Sequence, residues 1–236
     1  MNILLTGGTG FLGSYLYKYL SKSNNVFTCS RNNSYYKVDL VTEIPDFKKT
    51  FEIVIHSAGM AHLVPKNERH EKMFYDVNVN GTKNLLEGLS LSKRPKYFLL
   101  ISSVSVYGLN SGVCINEDYA LSANDPYGRS KIEAEIIVMN WCRENNVICT
   151  ILRLPLILGA NPPGNLGAMI NAIQNNYYFN ISNGEVKKSM VLASDVSKFI
   201  LKAAEIGGTY NLTDGCHPNF IDFSHLIANQ LGKRFR

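Results

Sequence analysis

The chain has 236 residues, of which 45% are hydrophobic and 18% charged, and its formal net charge at pH 7 is +5. This composition excludes a disordered or fibrous protein, and the length suffices for one large domain with a small appendage. The charge excess is mild, and its densest cluster, Lys233-Arg234, is too short to indicate a nucleic-acid-binding surface.

The cysteines and the apolar segments exclude several further classes. No C-x-x-C pair or Cys/His cluster is present, so we expect neither a metal site nor a disulfide framework. No apolar run is long enough to span a membrane, and the N-terminal segment lacks the features of a signal peptide. We therefore expect a cytoplasmic protein with no membrane partner. The scattered cysteines are Cys29, Cys114, Cys142, Cys149 and Cys216.

Short apolar runs alternate with helical patterns, which predicts a parallel sheet covered on both faces. The predicted strands are residues 3–6, 26–29, 53–56, 97–102 and 147–152. From about Leu154 prolines and glycines break this pattern, and helices near 166–174, 194–204 and 221–231 and a strand at 177–181 follow. We predict an α/β fold with a Rossmann-type doubly wound parallel sheet in residues 1–153. A small α/β region, residues 154–236, is expected to interleave with its last elements.

Glycines follow the first predicted strand at Gly7, Gly8, Gly10 and Gly13, and a helix is expected to begin near Phe11. The spacing fits G-x-G-x-x-G or G-x-x-G-x-x-G, and a tight structural turn is the alternative. Glycine lets the backbone turn sharply and approach a pyrophosphate, while the helix directs its N–H groups at the phosphates. The chain is therefore expected to open with a dinucleotide-binding loop.

The second predicted strand ends in Ser30-Arg31, and no Asp or Glu occurs between Ser14 and Val38. A site that prefers NAD usually places a carboxylate on the ribose 2′-hydroxyl at this position. A hydroxyl and a guanidinium suit a 2′-phosphate instead. NADP is thus favoured over NAD, although Arg31 stacked on the adenine or facing solvent is an alternative.

Three residues form the candidate catalytic group. Tyr127 and Lys131 lie four apart on a predicted helix that starts after Asp125-Pro126, so they share one face. An ammonium group beside a phenol is expected to draw the tyrosine pKa toward neutrality and to create an acid/base. Ser103, at the end of a strand, is expected to hydrogen-bond the reacting oxygen, with Ser102 and Ser105 as competitors. The alternatives are a solvated helix face and a hydroxyl that caps a turn.

Five segments together resemble the extended short-chain dehydrogenase/reductases, in particular the nucleotide-sugar epimerases, dehydratases and 4-ketoreductases. They are TGGTGFLG (6–13), HSAG (56–59), FYDVNVNGTKNLL (74–86), SSVSVYG (102–108) and YGRSK (127–131). The match runs in order through nearly the whole chain. It is specific for the family and unspecific for the individual reaction.

The resemblance implies a set of cofactor contacts, with Tyr127 and Lys131 also holding the nicotinamide ribose. The others are Phe11 and Leu12 at the pyrophosphate, Asp39 and Leu40 at the adenine, Ser57, Ala58 and Gly59 along the ribose and nicotinamide, and Pro155 over the nicotinamide. It also implies that residues 154–236 form the substrate-binding region. On the substrate side it implies Ser103, Asn165 at the nucleotide diphosphate, and Lys188 where relatives often carry a phosphate-binding arginine.

The chain departs from the family pattern in three places. Lys188 keeps the positive charge of the arginine but not its bidentate grip. The usual Val-Tyr-Gly is Ile157-Leu158-Gly159, which removes a hydroxyl from the substrate side. The sequence also stops before the family's final segments, so we expect either a truncated chain or a natural end with part of the substrate lid absent.

The resemblance implies an NAD(P)-dependent enzyme that acts on a nucleotide-diphosphate sugar by hydride transfer at C4. Whether it is an epimerase, a dehydratase or a reductase is left open. The alternative is a non-catalytic dinucleotide-binding sensor, although such proteins usually lack the Tyr/Lys pair. We expect a nucleotide sugar as partner, no nucleic acid, and a homodimer as the assembly to test.

Overall fold

The computed structural model describes residues 1–61, 65–179 and 186–233. Seven of its strands form a parallel sheet in the order β3-β2-β1-β4-β5-β6-β9, and the other two form a small parallel sheet. The strands are β1 (Asn2–Thr6), β2 (Asn25–Ser30), β3 (Tyr36–Lys37), β4 (Ile53–His56), β5 (Tyr97–Ser103), β6 (Ile148–Leu154), β7 (Leu156–Leu158), β8 (Met190–Leu192) and β9 (Gly208–Asn211).

Helices cover both faces of the large sheet. They are α1 (Phe11–Leu20), α2 (Glu68–Tyr75), α3 (Gly81–Ser90), α4 (Pro126–Glu144), α5 (Gly164–Gln174), α6 (Ala193–Ile206) and α7 (Phe220–Gln230). A π-helical turn (Asp76–Asn80) joins α2 to α3, and a 3₁₀ turn (Val104–Tyr107) follows β5. None of the helices within the described ranges is long and apolar enough to cross a membrane.

The central strand β1 shows why this chain forms a doubly wound sheet. Ile3 and Leu5 point into a core shared with α1 and α6, and Leu4 points into a second core shared with α3 and α4. All three side chains are fully buried. A strand buried on both faces has no polar alternation, as the sequence predicted. The predicted α/β architecture is confirmed.

The chain beyond β6 divides between the large sheet and a small region. The helix α6 packs on the large sheet and β9 extends it beside β6, whereas β7, β8, α5 and α7 surround a separate core. The predicted division at residue 153 stays a prediction. The strand predicted at 177–181 is wrong for 177–179, which have no regular structure, and the remainder lies outside the described residues. Tyr177 and Phe179 are 59% and 75% exposed, and of the three residues only Tyr178 packs against the core of the small region.

Candidate active site

The loop after β1 requires glycine at two positions. Gly7 adopts a φ of +69°, and a Cβ there would lie 2.6 Å from the backbone nitrogen of Ala58. A Cβ on Gly13 would lie 2.0 Å from the Gly7 carbonyl oxygen. Both distances are far below contact distance, so side chains are excluded where the loop meets α1 and the loop after β4. The backbone therefore forms a tight turn at the carboxyl edge of the sheet.

The start of α1 is suited to an anionic group. Gly10 is the N-cap residue, and it supplies no side chain to the free N–H groups of Phe11, Leu12 and Gly13. The first turn of α1 also contains no acidic residue. Uncapped N–H groups and the positive end of the helix dipole bind phosphates, so the residues present fit a pyrophosphate. The predicted loop residues all lie at this turn, and their cofactor contacts stay a prediction.

The loop at residues 57–59 lies beside the glycine loop, at the switch point where β1 has β2 on one side and β4 on the other. The N–H of Ala58 donates to Thr6 Oγ1 at 3.1 Å. A Cβ on Gly59 would lie 3.2 Å from Asn78 Oδ1 and 3.9 Å from Lys131 Nζ. The structure therefore brings the predicted nicotinamide path close to the predicted catalytic lysine.

Asn78, in the π-helical turn, was not among the predicted site residues. Its side-chain amide accepts from the Met60 N–H at 2.7 Å and donates to the Met60 carbonyl at 3.1 Å. It also donates to the Ser130 hydroxyl at 2.9 Å, on the residue before Lys131. Asn78 thus connects the loop after β4 to α4.

The predicted catalytic residues converge at the carboxyl end of β5. Ser103 is the last residue of that strand, and its hydroxyl lies close enough to the Tyr127 phenol to influence the pKa of that phenol. The helix α4 carries Tyr127 in its first turn. Asp125 caps the start of this helix, because its carboxylate accepts from the Gly128 N–H at 2.9 Å. Lys131 lies one turn further along and is buried. The spacing thus places the three side chains as predicted, and their catalytic roles stay a prediction.

The pKa directions differ from the expectation for Tyr127. Burial raises the pKa of its phenol above the usual value, while the nearby Ser103 hydroxyl opposes the rise. The expected fall toward neutrality is therefore wrong. Burial dominates, and the Lys131 ammonium group donates to the Ile101 carbonyl at 2.7 Å. Burial also lowers the pKa of Lys131 to about 8, and the nearby Glu135 carboxylate acts in the opposite direction.

The structure separates the three candidate serines. Ser102 is buried and donates its hydroxyl to the carboxylate of Glu135. Ser105 lies in the 3₁₀ turn, and its hydroxyl oxygen is 3.1 Å from that of Ser103. Ser103 is partly exposed and faces Tyr127. This arrangement supports the choice of Ser103.

The residues predicted around the adenine lie at the ends of β2 and β3. Arg31 is exposed directly after β2, whereas the Ser30 hydroxyl donates to the Asn32 carbonyl at 2.7 Å within its own loop. Asp39 accepts from the Val41 N–H at 3.1 Å in a local turn. The Leu40 carbonyl accepts from Asn84 on α3. Of this group, the Arg31 side chain is the one that the structure presents to solvent.

The small region contacts the glycine loop through the segment after β7. Pro155 separates β6 from β7, so the chain leaves the large sheet there. A Cβ on Gly159 would lie 2.8 Å from the Tyr15 hydroxyl and 3.0 Å from the Phe11 ring. The Ala160 N–H donates to that Tyr15 hydroxyl at 2.6 Å. In the segment 157–159, where the chain differs from the family pattern, Gly159 therefore packs against the start of α1.

The two predicted substrate residues lie on the small region. Asn165 is the second residue of α5, and Lys188 precedes β8. Both are exposed. Within the described ranges, neither side chain hydrogen-bonds Ser103, Tyr127 or Lys131. The structure thus does not join them to the catalytic group.

Together the glycine loop, the strand order and the Ser103, Tyr127 and Lys131 group at the carboxyl edge of the sheet are the features of a dinucleotide-binding α/β protein. The chain belongs to the NAD dependent epimerase/dehydratase family, whose profile matches residues 3–213. The predicted resemblance is therefore confirmed.

Curated relatives include an N-acetyl-alpha-D-glucosaminyl-diphospho-ditrans,octacis-undecaprenol 4-epimerase of Escherichia coli O157:H7. It is 27% identical over a match covering 98% of this chain and 70% of the relative. A UDP-glucose 4-epimerase of Dictyostelium discoideum is 29% identical, with 95% of this chain and 68% of the relative covered.

Solved structures share the fold. The UDP-glucose 4-epimerase of Thermotoga maritima with UDP-glucose has a TM-score of 0.83 and 24% identity, covering 100% of this chain and 84% of the other. RMD from Pseudomonas aeruginosa, complexed with NADPH, has a TM-score of 0.79 and 23% identity, covering 100% and 83%.

Proposed function

We propose that this protein transfers a hydride at C4 of a nucleotide-diphosphate sugar, as an epimerase or a 4-ketoreductase. One observation carries the proposal: Ser103 faces Tyr127, with buried Lys131 one helical turn further along α4, at the sheet edge where the glycine loop and α1 offer a phosphate site. The names of the curated relatives, which are sugar 4-epimerases, support the substrate class.

Each residue has a proposed role. Tyr127 exchanges a proton with the C4 oxygen, Ser103 orients that oxygen, and Lys131 holds the nicotinamide ribose. A bound nicotinamide supplies or accepts the hydride. Because burial raises the pKa of Tyr127, its phenol is protonated at neutral pH and is ready to donate to a carbonyl oxygen. This favours the reduction of a 4-keto sugar as the starting direction.

The cofactor is a nicotinamide dinucleotide, and we propose a preference for NADP. The exposed guanidinium of Arg31 at the end of β2, together with the lack of any acidic residue at positions 15–37, supports this choice. The likeness to solved structures does not decide it, because one of them is a complex with NAD and another with NADPH.

We also propose a cytoplasmic location, which the five free cysteines support, and a homodimer as the assembly. Both proposals can be checked during purification, the first by localising a tagged protein and the second by light scattering. The homodimer rests on the family resemblance alone.

The deciding experiment incubates the purified protein with a panel of UDP- and dTDP-sugars and their 4-keto forms, with each cofactor in turn. Sugar products are separated by chromatography, and net reduction is followed by the absorbance of the reduced cofactor. We expect one nucleotide sugar to be converted, no conversion by Tyr127→Phe above a low residual rate, and normal conversion by Tyr17→Phe, which alters an exposed tyrosine of α1. Tight cofactor binding without conversion of any sugar would favour the sensor alternative.

A further inference from the structure

A buried ion pair lies behind the catalytic group. Glu135 of α4 is fully buried, and Arg153 of β6 is 5% exposed. Arg153 Nη2 lies 2.8 Å from Glu135 Oε2, and its Nε lies 3.2 and 3.3 Å from the two carboxylate oxygens. Arg153 Nη1 donates to the Tyr107 hydroxyl at 2.9 Å and to the Glu117 carbonyl at 3.0 Å. The guanidinium is thus held from several sides, which fixes the orientation of the carboxylate.

A buried ion pair is weak evidence for stability, because the loss of hydration offsets its attraction. The position of Glu135 indicates a functional reason for the pair, because residues 127, 131 and 135 are spaced by four and share one face of α4. Glu135 lies one turn beyond Lys131, and Lys131 is itself buried.

Glu135 also contacts the strand that ends at the catalytic serine. The Ser102 hydroxyl donates to its Oε1, and Ser102 directly precedes Ser103. On that strand, the Ile101 carbonyl accepts from Lys131 Nζ. One helix face and one strand end are thus connected twice, through Lys131 and through Glu135.

The charges facing Lys131 come from several elements. His56 of β4 is buried and its pKa falls to about 3, so its imidazole is neutral at physiological pH. Tyr127 is a neutral phenol, since burial raises its pKa. Arg153 forms an ion pair with Glu135 and neutralises it in part. Among the ionisable side chains in the described part of the chain, Glu135 is the carboxylate that stabilises the Lys131 cation.

We propose that Glu135, oriented by Arg153, is a positioning residue that keeps Lys131 cationic at neutral pH and fixes the end of β5 on which Ser103 stands. The catalytic consequence rests on the proposed function, whereas the effect on the Lys131 charge does not. Burial lowers the pKa of Lys131 to about 8 even with the Glu135 carboxylate opposing the fall, so loss of that carboxylate would bring the pKa still closer to neutrality.

The test measures the pKa of Lys131 directly. Protein labelled with ¹³C at lysine Cε is titrated by NMR, with the Lys131 resonance assigned by its absence in Lys131→Arg. We expect a wild-type pKa of about 8 and, in Glu135→Gln, a fall of about one pH unit, a tenfold change in the protonation equilibrium. Glu135→Asp keeps the charge and should restore most of the value. Ser102→Ala removes the hydrogen bond but not the charge and should leave this pKa unchanged.

Activity gives an independent measurement. With the substrate found by the panel, the alkaline limb of kcat/KM should move to lower pH in Glu135→Gln by the same amount as the Lys131 pKa. An unchanged Lys131 pKa in a folded Glu135→Gln variant would refute the proposal. If that variant does not fold, a wild-type pKa below 7 would refute it equally, since Lys131 would then be neutral with Glu135 in place. If no sugar is converted, the proposed function fails while the titration still decides this inference.

Discussion

A 2.9 Å hydrogen bond joins His56 Nε2 of β4 to Thr82 Oγ1 of α3 in the protein interior. The Thr82 hydroxyl donates to the Asn78 carbonyl at 2.6 Å, so its oxygen accepts from His56 and the imidazole proton lies on Nε2. His56 Nδ1 then accepts from the Thr6 hydroxyl at 2.7 Å, and the Thr6 oxygen accepts the N–H of Ala58. Because Nδ1 accepts a hydrogen bond, it carries no proton, and the His56 imidazole is neutral.

This arrangement predicts how stability depends on pH. Burial, together with the Lys131 charge, lowers the pKa of His56 from 6.5 to about 3 in the folded state. Between these values the unfolded chain binds a proton that the folded protein does not. The free energy of unfolding should therefore be unaffected by His56 above pH 6.5 and should decrease below it by up to about 1.4 kcal/mol per pH unit.

Urea unfolding of wild type and His56→Phe at several pH values measures this contribution. The variant should be less stable at pH 7 by about 2–4 kcal/mol, because Thr6 and Thr82 lose their buried partner. Its stability should also fall less steeply below pH 6.5 than that of the wild type. His217→Gln, which replaces an exposed histidine, serves as the control and should follow the wild-type curve. Parallel curves for wild type and His56→Phe would contradict the prediction.

The glycine loop gives a second prediction, on Gly13. A methyl group there meets the Gly7 carbonyl oxygen at 2.0 Å and Gly8 Cα at 3.0 Å, and backbone atoms cannot move aside as a flexible side chain can. Gly13→Ala should lower the free energy of unfolding by about 2–3 kcal/mol, and it should weaken dinucleotide binding. Gly10→Ala is the matched control, because its nearest contact is 3.2 Å and its φ is ordinary. It should cost less than about 1 kcal/mol, and equal losses in the two variants would contradict the argument.

The parts of the site that the sequence predicts are those that local geometry fixes. The glycines follow directly on a buried strand, so their place at its carboxyl end needs no tertiary information. Tyr127 and Lys131 share a helix face by spacing alone. By contrast, β7 and β8 have three residues each, which is too short for a recognisable pattern.

The Glu135–Arg153 pair could not be predicted, because it depends on how α4 packs on β6. Two signals were present nonetheless. Glu135 continues the four-residue spacing of Tyr127 and Lys131, and Arg153 is a charged residue inside an apolar strand. The rise in the pKa of Tyr127 could not be predicted from the sequence either, because it results from burial that only the packed structure defines.

A third prediction concerns the acid/base. Tyr127→Phe removes the exchangeable proton but keeps the ring, which packs 5.8 Å from that of Phe74. Turnover of the true substrate should fall by about 10²–10⁴-fold, the usual contribution of a positioned acid/base. Fold and cofactor affinity should be retained, as circular dichroism and calorimetry can establish. Near-normal turnover would show that Tyr127 is a structural residue.

The last prediction tests the cofactor preference through Arg31. A guanidinium bound to a 2′-phosphate contributes about 1.5–3 kcal/mol, which is roughly ten- to hundredfold in affinity. Arg31→Ala should weaken NADP by this factor and leave NAD nearly unchanged, because NAD has a hydroxyl where NADP has the phosphate. Calorimetric titration of both cofactors into wild type, Arg31→Ala and Arg69→Ala measures the effect. Arg69, an exposed arginine of α2, should affect neither cofactor.

Equal affinities of the wild type for the two cofactors, or tighter NAD binding, would place Arg31 on the adenine or in solvent. The functional proposal would then move from the reductase toward the epimerase, since an epimerase returns the hydride to its own substrate and needs no exchange of reduced NADP.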